Sequence, residues 1–486
     1  MRELTESVIS GPSVVSTREG DASELVRGLG LWSATAAVVG CVIGTAIFLV
    51  GSEVARDTAS GALSIAAWIV GGLLALCGAL CLAELGAAMP RAGGMYAYLN
   101  RGLGPAWGFL YGWTSSTIVE TAGCAAVAAG FIRLVSFLVP AANKPLFFLH
   151  IPGPFQAKTY EFAFTTAQPL AAGVIVLVTA INYLSVRSGG RIQVLMSSLK
   201  VGAVAALVAL GFVSQRGNFA GLPLSSTAIG AGTSGAFLVA LVPVMWAYSG
   251  WHLLGPVGEE VENPGKNIPR ALGYGMLAVM LLYVLANFVY LRVLGVTSVA
   301  HSPHVASDVF ERFAGAGGAK WLTVAMMISA LGTLHVNILT AARIPFAMAR
   351  DGLFFKFAER VQPTFRSPSG GLLLVGAVTA LLALSGTYEE LFSLVIFALW
   401  IFLCLSAFAL IRLRITEPAL PRPYRTWGYP WTPILFLAGG LAMTVNLWLD
   451  RPVRSSIGLG VILLGLPFYF HWRKKSDGRV SPNTGA

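Results

Sequence analysis

Four ionisable side chains lie inside long apolar runs of this chain: Glu120 in SSTIVETAGCAAV, Lys200 in the middle of the run 190–214, His252 in YSGWHLL and His335 in LGTLHVNILTAAR. A charge at the centre of a bilayer costs about 2.5–3.5 kcal/mol on insertion scales, so each is a functional candidate or must be paired. Glu120 could contact a cationic group, carry a proton, or pair with a Lys or Arg; a neutral or structurally paired carboxyl is the plainer alternative. The two imidazoles could hydrogen-bond a bound molecule or titrate near neutral pH. A lone histidine in a membrane is more often a satisfied hydrogen-bonder than a switch. A second kind of chemistry belongs to the backbone. The stretch Val39 to Phe48, VGCVIGTAIF, holds Gly40 and Gly44 followed by Thr45 and Ala46. In hydrocarbon every N–H and C=O needs a partner, so a weak spot in a spanning helix must face protein, water or ligand. A break here leaves a helix N-terminus near the bilayer midplane, suited to an anion such as a carboxylate. These residues point to holding and carrying a small zwitterion.

The elements that must position them are transmembrane helices. The 486 residues are 56% hydrophobic and only 11% charged, where soluble domains average about 25% charged. Apolar runs long enough to cross the core number twelve: about 31–53, 61–88, 105–138, 166–185, 190–214, 233–262, 269–294, 319–349, 370–386, 389–412, 431–449 and 453–472. Residues 1–27 read as a cytoplasmic tail without the apolar core of a cleavable signal peptide, and 473–486 reads as a second cytoplasmic tail. The net charge of +11 raises nucleic acid as a partner, but with both termini inside, most Lys and Arg fall in the tails and inward-facing loops. That is the positive-inside bias of a multi-pass membrane protein. The cysteines Cys41, Cys77, Cys81, Cys124 and Cys404 all fall in the apolar runs, read as small packing residues, with no structural disulfide and no metal site expected. The connection 139–165 is the longest outer loop, and 415–430 (EPALPRPYRTWGYP) reads as an ordered reentrant or interfacial stretch.

The sixth run, FLVALVPVMWAYSGWHLLGPVGEE, is interrupted by Pro243, Ser249, Gly250, Gly255 and Pro256. Runs one and six are thus both broken, five helices apart, which gives two halves of opposite topology. Matched broken segments in inverted halves are the best sequence pointer to a midplane site.

VGCVIGTAIF, CLAELGAAMPRAGGMYAYLNRGLGPAWGFLYGW at 81–113, NYLSVRSGGRIQ at 182–193, WAYSGWHLLGPVGEEVENPGKNIPRA at 246–271 and RIPFAMARDG at 343–352 together resemble the amino acid–polyamine–organocation superfamily, and within it the L-type amino acid transporter family. The resemblance covers roughly 30–470. It implies an all-α membrane protein with a leucine-transporter-like fold: a five-helix repeat (28–215), an inverted five-helix repeat (216–414) and two extra helices (415–472). It implies that backbone around Gly44, Thr45 and Ala46 takes a substrate carboxylate. Carbonyls near Val42 and Ile43, and those of Trp246, Ala247 and Ser249, would take its ammonium. Where the family often has a Gly-Ser-Gly triplet, this chain reads Gly-Thr-Ala, and the methyl of Ala46 narrows the approach. Trp246 occupies the aromatic position that closes over substrate; core filling is the plainer alternative. Lys200 matches the lysine that stands, in sodium-independent relatives, where sodium-coupled ones bind an ion, with Thr340 as its neighbour on the eighth run. His335 and His252 fall at positions where relatives carry Asn or Asp near the substrate.

Glu84, Arg91, Glu259, Glu260, Arg343, Arg350 and Asp351 gather at inner helix ends, as inner-gate ion pairs or as ordinary interfacial charges. No phosphate-binding G-x-x-x-x-G-K-[ST] loop and no H-E-x-x-H occurs, so enzyme chemistry and ATP-driven transport are not expected, and no cofactor is implied. The outer loop 139–165 has no cysteine, so a disulfide-linked heavy chain, as in animal relatives, is not expected. The expectation is a sodium-independent exchanger or facilitator of neutral amino acids. A proton-coupled or cationic amino acid or polyamine carrier, or a non-transporting sensor, stands as the alternative.

Overall fold

The structure is a computed structural model that describes residues 28–152, 159–184, 189–213, 233–364, 367–386 and 388–477. The first apolar run forms a helix, α1 (Leu31–Val42), that stops at Ile43 and resumes as α2 (Ala46–Leu49) and α3 (Gly51–Thr58). Helix α4 (Gly61–Ala88) is started by the Ser60 hydroxyl, which accepts from the Leu63 N–H at 3.4 Å, an N-cap. Two short helices, α5 (Met95–Leu103) and α6 (Pro105–Thr114), lead into α7 (Glu120–Leu138) through a π-helical turn at Ser115–Val119. Then come α8 (Ala167–Leu184) and α9 (Gly189–Val213). The sixth run is α10 (Thr233–Ala247), a turn at 248–250 and a 3-10 segment, Trp251–Glu260. The second half continues with α11 (Pro264–Leu294), α12 (Val296–His301), α13 (Val305–Ala341), α14 (Arg343–Arg350), α15 (Ser369–Ser385) and α16 (Tyr388–Thr416), and ends with α17 (Trp431–Asp450) and α18 (Pro452–Asp477).

Among the described residues, nine helical segments are long and apolar enough to cross a membrane, and three shorter apolar ones (Leu31–Val42, Ser197–Val213, Ser369–Ser385) fall in runs one, five and nine. Run eight starts earlier than its apolar pattern, because α13 extends back to Val305 across a bend at Gly315 (φ 67°). The connection 139–165 holds structure that its prolines hide: Pro145–Pro152 and Thr159–Thr165 pair as an antiparallel hairpin, Phe148 opposite Ala163. Its aromatic-rich strands favour a pleated surface, and Phe147 stacks on Phe164 at 4.8 Å. The expected tail 1–27 and the repeat boundary at 215/216 lie outside the described residues, as do the last nine residues of the expected tail 473–486, whose first five belong to α18.

The core is a helix-on-helix packing. Helix α1 lies against α9, α11 and α13, α7 lies against α13 and α16, and α4 lies against α11 and α17. These neighbours converge on the two broken runs.

The seven charged residues expected at inner helix ends resolve into two clusters and one further residue. Glu84, 1% exposed, accepts from Arg414 (Nε 2.9 Å, Nη2 2.5 Å) and from the Thr426 N–H at 2.6 Å, with Arg422 Nε at 3.4 Å. The Arg414 guanidinium also covers the Tyr429 ring at 3.7 Å. The proline-rich stretch that follows α16, 417–430, has no helix or strand of its own; the Glu84 carboxylate on α4 ties it to the helices, with Arg101 on Glu417 and Arg422 on the Leu413 and Glu417 carbonyls as further ties. The second cluster joins Arg343 to Glu260, Glu259 to the Ala92 N–H (3.1 Å) and, at 3.7 Å, to Arg350, and Tyr96 to Asp351 (2.7 Å). Arg91 lines a cavity beside Glu259, Arg350 and Asp351.

Candidate functional site

The break in the first run exposes the last carbonyls of α1, which have no partner within the helix. Side chains from three other helices supply them. The Lys200 ammonium on α9 donates to the Gly40 carbonyl at 2.9 Å and to the Thr333 hydroxyl at 2.5 Å. Thr333, on α13, donates in turn to the Ile43 carbonyl at 2.9 Å. The Tyr283 hydroxyl on α11 donates to the Val42 carbonyl at 3.1 Å. Tyr283 is held by edge contacts with Trp68 and a tilted contact with Tyr248. Lys200 is 2% exposed, so the cost of burying its charge is offset by a carbonyl, a hydroxyl and the negative end of a helix dipole.

The second break crosses the first. Gly250 adopts φ 115°, and a Cβ there would stand 2.6 Å from the Cys41 carbonyl oxygen, so only glycine lets the two interrupted backbones meet. Between the breaks lies a cavity of about 40 Å³, counted as the volume open to the centre of a water molecule. It is lined by Cys41, Val42, Gly44, Thr45 and Ala46 from the first break, Val119, Glu120, Gly123, Cys124 and Val127 from the third run, Trp246, Ser249, Gly250, His252 and Leu253 from the sixth, Thr333 and Asn337 from α13, and Val395 and Leu399 from α16.

The π-helical turn ends where α7 begins, at Glu120. Such turns insert an extra residue per turn and are frequent at functional sites. Glu120 Oε1 lies 3.0 Å from His252 Nε2, and both side chains are buried. The Trp246 indole lies across Gly123 and stacks on Phe392 at 5.8 Å and 17°.

Of the sequence-chosen residues, Val42, Gly44, Thr45, Ala46, Glu120, Trp246, Ser249 and His252 line this cavity. Ile43 and Ala247 do not; both are fully buried behind it. The carbonyls differ from expectation. That of Trp246 already accepts from the Ser249 N–H (3.1 Å) and hydroxyl (2.7 Å), and that of Ile43 from Thr333, which leaves each less free for an ammonium. His335 is half-buried away from the cavity, and its carbonyl accepts from Asn182 at 3.0 Å. Positions 333 and 337 share one face of α13, while 335 lies about 200° around from 333. Thr340 likewise is not the partner of Lys200: its hydroxyl bonds the Val336 carbonyl of its own helix at 2.9 Å. Eleven lining residues were not among the sequence-chosen ones, and Thr333 and Asn337 are the two of them with polar side chains besides the thiols Cys41 and Cys124; the i, i+4 spacing of Thr333 and Asn337 was the available signal.

Thr333 joins the ammonium to the break through one hydroxyl. Thr333→Val, of the same shape, leaves the Ile43 carbonyl without that donor and is expected to destabilise the protein by about 1–3 kcal/mol. Thermal unfolding of the purified protein measures it, and an unchanged melting temperature would show that water replaces the hydroxyl at no cost.

The site offers carbonyl oxygens, a helix start, buried hydroxyls and one carboxylate–imidazole pair around a small space. Among the described residues no cluster of His, Cys, Asp and Glu has the makings of a metal centre. An amino acid permease model matches residues 29–468. The chain is 28% identical to the serine/threonine exchanger SteT of Bacillus subtilis over 456 residues, 93% of this chain and 98% of that one. It is 28% identical to the mouse b(0,+)-type amino acid transporter 1 over 452 residues (92% and 88%) and 29% identical to the mouse Asc-type amino acid transporter 1 over 458 (93% and 82%). The chain belongs to the amino acid permease family of the amino acid–polyamine–organocation superfamily, and is a multi-pass membrane transporter of amino acids.

Proposed function

We propose that this transporter is a sodium-independent exchanger or facilitator of neutral amino acids, built as two inverted five-helix repeats (28–215 and 216–414) followed by two further helices. It works by alternating access, with both termini cytoplasmic. The observation that carries the reading is the Lys200 ammonium seated on the Gly40 carbonyl and the Thr333 hydroxyl at the first break. A fixed cation there neutralises the same carbonyl field that a bound Na+ would, and leaves no need for one. The first break sets the start of α2 and the carbonyls of α1 around one cavity, as a zwitterion requires. The crossing of the two breaks at Gly250 and Cys41 supports the inverted repeat. The relatives named above carry amino acid exchange or transport in their names, and one of them serine and threonine.

The test is uptake into liposomes holding the purified protein, with sodium replaced by choline. Unchanged rates are expected, and strict dependence on sodium would sink the reading. The Glu120–His252 pair favours one second reading, a proton-coupled or cationic amino acid carrier. Uptake that needs a proton gradient would select it over counterflow between equal pH values.

A further inference from the structure

Three polar atoms on the cavity wall have no hydrogen-bond partner although all are buried: Thr45 Oγ1 at the first break, whose hydroxyl can donate or accept, and the two side-chain atoms His252 Nδ1 and Asn337 Oδ1. His252 is 5% exposed and its other nitrogen is committed to Glu120 at 3.0 Å. A carboxylate on Nε2 takes the Nε2–H, which leaves Nδ1 as an acceptor. Asn337 Oδ1 is an acceptor by nature. Buried polar atoms in native proteins find partners, so two unmatched acceptors around one cavity describe a missing donor.

We propose that the side-chain end of this cavity selects amino acids that carry a hydroxyl or a carboxamide, whose donor hydrogens meet His252 Nδ1 and Asn337 Oδ1, with Glu120 as the positioning residue that sets the imidazole. The inference rests on the amino acid reading of the site and narrows it. An aliphatic side chain would leave both acceptors unpaired. A cationic side chain also donates and Glu120 would attract it, but that carboxylate is engaged by His252 at 3.0 Å, and the Lys200 ammonium one hydroxyl behind the wall, on Thr333, repels a second positive charge. The space of about 40 Å³ suits a short side chain. Val119, Val127, Val395 and Leu399 give its methyl or methylene groups an apolar seat.

Threonine and valine have nearly the same shape and differ in the hydroxyl, so they isolate the claim. Thermal-shift titrations of the purified full-length protein with threonine, valine, asparagine, leucine and lysine give a half-saturating concentration for each. A site built around a hydroxyl discriminates strongly against the analogue lacking it. The expected result is threonine at least about tenfold tighter than valine, and asparagine likewise tighter than leucine. His252→Leu is expected to bring threonine and valine within about twofold of each other, with the cooperative melting of the ligand-free variant as the check of folding. Glu120→Gln, which no longer dictates the imidazole tautomer, should narrow the same threonine-to-valine ratio, an outcome that a merely structural role would not produce. Valine equal to threonine in the unaltered protein overturns the proposal, as does lysine binding tightest. If no amino acid binds at all, the amino acid reading of the site falls first, and the two failures are told apart.

Discussion

Lys200→Met is expected to lower amino acid uptake by on the order of 100-fold, since two charge-assisted hydrogen bonds of about 1.5–3 kcal/mol each are lost. The Gly40 carbonyl would keep only the Thr333 hydroxyl, at 3.2 Å, and Thr333 would lose the donor that fixes its hydroxyl toward Ile43. Both effects act on the backbone that shapes the substrate end of the cavity. Uptake per molecule of protein in liposomes measures the change, with the amount of folded protein counted separately. Lys200→Arg is not expected to rescue, because a planar fork cannot place one point charge between a carbonyl and a hydroxyl. Uptake near the unaltered level in Lys200→Met would mean that the ammonium serves only to fill the interior.

The largest loss of stability is expected at Glu84. Its carboxylate is enclosed by Arg414, Arg422 and the Thr426 N–H. Glu84→Ala leaves the guanidiniums without their counter-charge, and breaking such a buried pair by removing one partner costs about 3–5 kcal/mol. Against a net stability of about 5–15 kcal/mol, that predicts a large fall in melting temperature and in monodisperse protein. Glu84→Gln, which keeps an acceptor, should lose less. Melting of Glu84→Ala at the unaltered temperature would show that the stretch 415–430 holds its shape by other contacts.

Much of the site was legible because the membrane makes exceptions conspicuous. The glycine spacing of VGCVIGTAIF marked the break, which the structure puts at Ile43–Thr45. Glu120, Lys200 and His252 stood out as ionisable groups in apolar runs. Pairing was beyond the sequence: residues 120 and 252 belong to different runs, and only tertiary packing sets Glu120 against His252. Depth was beyond it too. Thr333 and Thr340 are seven residues apart on one face of α13, so helical periodicity cannot say which meets Lys200. His335 was chosen by likeness to a position where relatives carry asparagine, whereas the residue of α13 that reaches the cavity beside Thr333 is Asn337, two positions further and on another face. The π-helical turn before Glu120 has no signature in propensity or pattern, since it is the packing around α7 that selects the extra residue.

The chain enters the fold by a short parallel ladder: the N–H groups of Gly28 and Leu29 meet the Glu260 carbonyl at 3.0 Å, and the Glu262 N–H meets Leu29 at 2.9 Å. The residue that closes this ladder, Glu260, is the one that Arg343 holds from the start of α14. Residues 28 and 29 are thus fastened by backbone to the end of the sixth run, and a displacement of that run relative to the rest of the fold would carry them with it.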